Sequence, residues 1–165
     1  MIRSCRAADA AALCDIYNCY VRETVVTFEE EPVAVDDMAR RIGTITAGLP
    51  WLVWEENGTV PGHACAAPWK KRSACRYPAE ATVYVSRGHT GRGIGSALYT
   101  ALLDRIAGRV HCAIGGLSLP NSASVALHEK PGFRGIGRFP EVGWKFGQWV
   151  DVGYWARVDA GMVPA

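Results

Sequence analysis

One stretch constrains this chain more than any other: Glu80–Leu103, which reads EATVYVSRGHTGRGIGSALYTALL. Its first part, Ala81-Thr82-Val83-Tyr84-Val85, is β-branched and aromatic and predicts a strand. Its last part places Ile94, Ala97, Leu98, Ala101, Leu102 and Ile106 at the spacing of a helix with one buried face. Between them, Gly88, Gly91, Gly93 and Gly95 punctuate a basic loop. Glycines so close together let the backbone turn sharply and present amide N–H groups to a ligand. Those amides meet the positive end of a helix starting near Gly93. Strand, glycine loop and helix N-terminus together predict an anion site, most naturally for a phosphate.

Loops that bind phosphate differ in spacing. A P-loop ends in Gly-Lys-Ser/Thr, and Gly95-Ser96-Ala97 has no lysine. A dinucleotide fingerprint is G-x-G-x-x-G after a first strand, whereas Gly91-x-Gly93-x-Gly95 is spaced differently and comes midway along the chain. The remaining pattern is Gln/Arg-x-x-Gly-x-Gly/Ala, and Thr90-Gly91-Arg92-Gly93-Ile94-Gly95 fits it except at Thr90. That pattern is the pyrophosphate loop of the acetyl-CoA-dependent N-acetyltransferases of the GNAT superfamily, which this loop resembles.

The remaining segments predict one domain over residues 1–165, with a core of ordinary size. Met1–Cys5 reads as a strand, Asp9 opens a helix, and Thr24–Phe28 is β-prone. Val35–Ile45 reads as a second helix with Asp36 and Asp37 in its first turn. Trp51–Glu55 and Thr59–Ala67 predict a hairpin turning at Asn57-Gly58. Val110–Leu117 reads as a strand, and Asn121-Ser122 caps a helix that runs through Lys130 to Pro131-Gly132. Phe133–Val158 reads as short β-prone pieces around Gly137, Gly143 and Gly147. The expected class is α+β (mixed α/β) with a mainly antiparallel sheet.

Net charge is +2, too near zero to point to nucleic acid. No apolar run reaches membrane-span length and the first residues lack a signal-peptide core, so a cytoplasmic location is expected. Six cysteines show no zinc spacing, and no metal site is expected. They read as reduced, mostly buried small hydrophobes.

Seven segments in order give a wider resemblance: TVVTFEEEP from Thr24, PWLVWEENGTVPGHA from Pro50, APWKKR from Ala67, AEATVYVS from Ala79, HTGRGIGSALY from His89, LPNSASVALHEKPGF from Leu119 and VGWKFGQWVDVGYW from Val142. Together, from about Arg3 to Trp155, they resemble the phosphinothricin N-acetyltransferase branch of the GNAT superfamily. The resemblance implies a twisted sheet with splayed middle strands holding acetyl-CoA. It implies donor contacts from Val83, Tyr84, Val85, Gly91, Arg92, Gly93, Ile94, Gly95, Ser96, Asn121 and Ser124. It implies Glu80 as general base, with His128 a second catalytic candidate ranked below it. Phe28, Lys70, Arg72 and Tyr84 match positions around a small amino-acid acceptor, where arginine forks onto an oxyanion and lysine offers a point charge.

The resemblance also implies a homodimer pairing through the C-terminal strands, where Trp144, Phe146, Trp149, Tyr154 and Trp155 cluster. His63, Cys65 and Pro131 depart from the relatives' usual tyrosines and leucine, and the first two bear on the acceptor. Two other functions fit the same loop: acetylation of protein N-termini or lysines, and non-catalytic acyl-CoA binding. No membrane or nucleic-acid partner is expected.

Overall fold

The protein is described by a computed structural model covering residues 1–162. Seven strands form one sheet: β1 (Ile2–Ser4), β2 (Trp51–Glu56), β3 (Thr59–Pro68), β4 (Pro78–Val85), β5 (Cys112–Leu119), β6 (Arg134–Lys145) and β7 (Gln148–Val158). Their order is β1-β2-β3-β4-β5-β7-β6. Every neighbouring pair is antiparallel except β4 and β5. Helices α1 (Ala10–Glu23) and α2 (Val35–Thr46) cover one face, and α3 (Ile94–Ile106) and α4 (Ser122–Glu129) lie on the other. The expected mixed, mainly antiparallel architecture is what forms.

Two cores hold the layers together. Leu13, Cys14, Met38, Ile42, Trp51, Val53 and Cys65 pack on the α1–α2 side. Leu52, Ala64, Ala66, Ala79, Ala81, Leu98, Tyr99 and Leu102 pack on the α3 side. The period-2 alternation of each strand sorts its side chains between the two. On β4 it sends Ala79, Ala81, Val83 and Val85 toward α3. Tyr84 goes to the other face, among Tyr17, Tyr20 and His63, and Glu80 and Thr82 share that face by the same period.

The β2–β3 hairpin turns at Asn57 and Gly58, both with positive φ (50° and 74°), as the Asn-Gly pair predicts. Thr24–Phe28, β-prone but not expected to pair, forms no strand; its hydroxyls satisfy the local backbone. Thr24 Oγ1 donates to Tyr20 O at 2.8 Å, Val26 N donates to Thr24 Oγ1 at 3.2 Å, and Glu29 N donates to Thr27 Oγ1 at 3.3 Å. Phe133–Val158 is not a set of short pieces but the long hairpin β6–β7. Its register shifts between Gly135 and Gly137 and between Phe139 and Gly143, so these glycines sit at bulges inside a strand rather than at its ends.

All six cysteines are unpaired; Cys5, Cys14 and Cys65 are buried and the other three are half-buried. No helix among the described residues is long and apolar enough to cross a membrane. The described residues contain no cluster of potential metal ligands.

Candidate active site

β4 and β5 pair only at Pro78–Cys112, Ala79–Ala113 and Glu80–Ile114. Beyond Glu80 the strands part, so the β5-facing backbone groups of Ala81–Val85 have no strand partner. Tyr20 reaches across from α1 and donates its hydroxyl to Val85 O at 2.6 Å. The parting opens a cleft of about 510 Å³, lined by Val83, Tyr84, Val85, Gly91, Gly93, Ile94, Gly95, Ser96, Asn121 and Ser124, with Tyr20, Val26 and His89 joining them. The structure therefore brings together nearly every residue expected around the donor.

The loop is built to take an anion. Gly91 and Gly93 have φ of +76° and +81°, and Gly93 caps α3. The first backbone bond of the helix is Ala97 N to Gly93 O at 3.0 Å. Among the described residues, no backbone or side-chain acceptor engages the amides of residues 91–96. These amides face a helix N-terminus, where a pyrophosphate would satisfy the free donors and the dipole together. Arg92 departs from the expected set: its guanidinium turns away to Glu56 on β2, at 3.1 and 3.2 Å. Thr90 likewise donates to Arg87 O at 3.0 Å, so its side chain turns to the local backbone. Asn121 Oδ1 accepts from Ser124 N at 3.1 Å, so Asn121 caps α4 while lining the cleft.

Glu80 sits where the strands part, half-buried and with no hydrogen-bond donor on its carboxylate among the described residues. Burial raises its pKa above the usual carboxylate value, and the Lys70 ammonium pulls it partly back. Opposite lies Gly116 on β5: a Cβ there would stand 3.6 Å from Glu80 Oε1 and 3.1 Å from Tyr154 Cε1. A side chain at 116 would thus fill the space between carboxylate and phenol. Tyr154 meets Trp69 edge-on at 5.6 Å, so this wall of the site comes from β7 and the β3–β4 connection. The Gly115-Gly116 pair inside a strand was the available signal for this close approach, and sequence reasoning passed over it.

The other expected residues divide. Tyr84 lies on the Glu80 face, with Tyr17 at 5.1 Å and Tyr20 at 5.0 Å, and burial raises its phenol pKa well above 10. Phe28 lies over Gly143 of β6, so close that a Cβ on Gly143 would be 2.3 Å from its ring. Lys70 is exposed, 4.6 Å above the Trp69 ring, and near enough to Glu80 to act on its charge. Arg72 is exposed in the same connection and makes no side-chain hydrogen bond among the described residues.

His128 is not brought to Glu80. It is 4 % exposed and lies on the α3–α4 face against Gly115, whose hypothetical Cβ would be 2.3 Å from its Nε2. Nδ1 donates to Ser124 O at 2.8 Å, which leaves Nε2 the bare nitrogen, without a partner among the described residues. Burial lowers its pKa, so the ring is neutral. Gly115 and Gly116 point to opposite faces of β5, and His128 and Glu80 are divided in the same way.

The acetyltransferase (GNAT) family matches residues 13–133. The chain belongs to this family. A phosphinothricin N-acetyltransferase of Streptomyces viridochromogenes is 41 % identical over 157 residues, 94 % of this chain and 86 % of the relative. An L-methionine sulfoximine/L-methionine sulfone acetyltransferase of Salmonella typhimurium is 38 % identical over 154 residues, 92 % of this chain and 90 % of the relative. The solved phosphinothricin acetyltransferase of Sinorhizobium meliloti, in complex with acetyl-CoA, superposes with a TM-score of 0.94 at 33 % identity, covering 100 % of this chain and 92 % of that one. This GNAT protein is an acetyl-CoA-dependent N-acetyltransferase, and the cleft between β4 and β5, with its free amides, suits that donor.

Proposed function

We propose that the enzyme moves acetyl from acetyl-CoA to the α-amine of a small glutamate-like amino acid, of the kind represented by phosphinothricin and methionine sulfoximine, with Glu80 as general base. The observation that carries this reading is the Glu80 carboxylate: half-buried, free of hydrogen bonds among the described residues, raised in pKa by burial, and lying at the last pair before β4 and β5 part. The two relatives named for those acceptors support the substrate class.

Acetyl-CoA supplies the acetyl group as a thioester. The amides of residues 91–96 hold its pyrophosphate, and the unpaired backbone of Val83, Tyr84 and Val85, with Asn121 and Ser124, holds the arm that reaches Glu80. An amino acid's ammonium cannot attack a carbonyl until it loses a proton. A carboxylate whose pKa is raised by burial is a better proton acceptor than one in water, provided it is still ionised at the working pH. Lys70 favours the ionised form. Phe28 and Tyr84 wall the acceptor, and Lys70 and Arg72 attract its oxyanions. His128 acts at one remove: its bare Nε2 can accept but not donate a proton, and its packing holds α4 on β5.

The exposed aromatics of the β6–β7 hairpin support a homodimer. Trp144, Phe146 and Trp149 are 53 %, 57 % and 59 % exposed. Tyr154 and Trp155 turn inward instead, toward Trp69 and toward Glu129.

Release of free thiol, followed over a panel of amino acids, tests the reaction. Glu80→Gln keeps the shape and loses the basicity, so kcat should fall on the order of 10²–10⁴-fold. Acetyl-CoA affinity by calorimetry should stay the same. Near-full activity of Glu80→Gln at neutral pH would place the base elsewhere.

A further inference from the structure

Lys145, near the end of β6, is 2 % exposed. A buried ammonium needs partners for three N–H donors. Among the described residues it makes one hydrogen bond, to the backbone carbonyl of Thr27 at 2.8 Å. Its charge lies 5.1 Å from the Phe146 ring, and the carboxylates of Glu29 and Glu30 are near enough to favour it. Such a group is costly to bury, and here it fastens β6 to a segment 118 residues away in sequence.

Thr27 is a junction. Its hydroxyl meets the Tyr17 hydroxyl at 2.7 Å, and Tyr17 in turn meets Tyr84 edge-on. The next residue, Phe28, has one ring face flush on Gly143, two positions before Lys145, while 41 % of the residue is exposed. Glu29 completes the segment through a forked ion pair with Arg41 of α2, at 2.7 and 3.2 Å. The stretch Thr27–Glu29 forms no regular secondary structure of its own. It is held by α1, α2 and β6, and the contact from β6 combines the Lys145 ammonium with the glycine surface under Phe28.

The geometry points to Lys145 as a positioning residue for the acceptor: its ammonium, through the Thr27 carbonyl, holds Phe28 in the wall that receives the amino acid and Tyr17 against Tyr84 of that wall. Lys145 touches neither acceptor nor donor in this role. The inference rests on the reading of Phe28 as part of the acceptor site. It adds that the affinity for the acceptor is set partly from the C-terminal hairpin, outside the cleft.

The test uses Lys145→Met, Phe28→Ala and the double variant, with acceptor KM, kcat and acetyl-CoA Kd measured for each. Lys145→Met should raise acceptor KM on the order of 10-fold, change kcat by less than about 3-fold, and leave acetyl-CoA Kd unaltered. A merely structural lysine would lower the fraction of active enzyme, and so kcat, without moving KM. Added to Phe28→Ala, Lys145→Met should cost less than about 2-fold more, because both act on one wall.

An unchanged KM in Lys145→Met, or full additivity with Phe28→Ala, overturns the inference while leaving the acceptor assignment intact. An unchanged KM in Phe28→Ala overturns the acceptor assignment itself, and this inference with it. Should Lys145→Met not fold, Lys145→Gln keeps a donor one bond shorter and is read in the same way. Loss of folded protein in both, by circular dichroism, makes the lysine structural and also overturns the inference.

Discussion

His63 should make the protein acid-labile, and the size of the effect can be worked from its surroundings. It lies in β3 between Val53 and Tyr84, 3 % exposed, with the rings of Trp51 and Tyr84 at 5.7 and 5.6 Å. Among the described residues neither ring nitrogen has a hydrogen-bond partner. Burial alone pushes its pKa from 6.5 down to about 3. As pH falls through 6.5, the unfolded chain binds a proton that the native protein refuses until about pH 3. The stability this residue contributes is therefore complete above pH 6.5 and is lost progressively below it. At roughly 1.36 kcal/mol per pH unit, the loss is about 2 kcal/mol by pH 5 and about 5 kcal/mol if the whole interval is crossed. Against a typical total of about 5–15 kcal/mol, that is a large share.

His63→Phe keeps an aromatic ring between Trp51 and Tyr84, and removes both the titration and the two unpartnered nitrogens. Urea unfolding at pH 7.5 and pH 5.0 measures the difference. With a slope of about 1–3 kcal/mol per molar urea, the wild-type midpoint should fall by roughly 1 M more than that of the variant. His128, also buried and lowered in pKa, is common to both proteins and cancels. Parallel pH dependences in wild type and variant would refute the reasoning, because they would mean that His63 is hydrated or paired in solution.

Two further expectations concern donor and assembly. Gly95→Asp should raise the acetyl-CoA dissociation constant sharply in calorimetry, since its Cβ has ordinary room, 3.5 Å from Val85 Cγ2, while its carboxylate would repel a pyrophosphate. Gly95→Ala is the control for bulk, and unchanged affinity in the aspartate variant would remove the loop from the donor site. Light scattering at micromolar concentration should give the mass of a dimer, and Trp149→Glu, at a residue 59 % exposed, should shift it toward the monomer. A monomer mass for the wild type would refute the dimer outright.

How much of this was legible in the sequence depended on how local each feature is. The strand, glycine loop and helix of Glu80–Leu103 could be read because every determinant lies within one turn of its effect: glycines at positive φ, the free amides after them, and the apolar face of α3. Asn57-Gly58 and the Asn121 cap are legible for the same reason. Thr24–Phe28 is β-prone yet forms no strand, because β-branched residues form one only when a neighbouring strand is present to pair with them, and here the hydroxyls turn to their own backbone. In β6 the glycines that look like breaks are bulges, and only the β7 partner reveals this.

The two halves of the active site differ in the same respect. The proposed donor side relies mostly on backbone amides from residues close together in sequence, so replacing a loop side chain, as Thr90 does, leaves those amides in place. The proposed acceptor side draws on Phe28, Lys70, Arg72, Glu80 and Tyr84, carried by a loop, the β3–β4 connection and β4. The pairing of β4 with β3 and β5 is what puts Glu80 and Tyr84 on the α1 face. A one-residue slip of β4 would turn Glu80 toward α3 and present Ala79 and Ala81 to the α1 face. The native register puts Ala64, Ala66, Ala79 and Ala81 on the opposite face, where their small buried side chains let α3 lie close against the sheet.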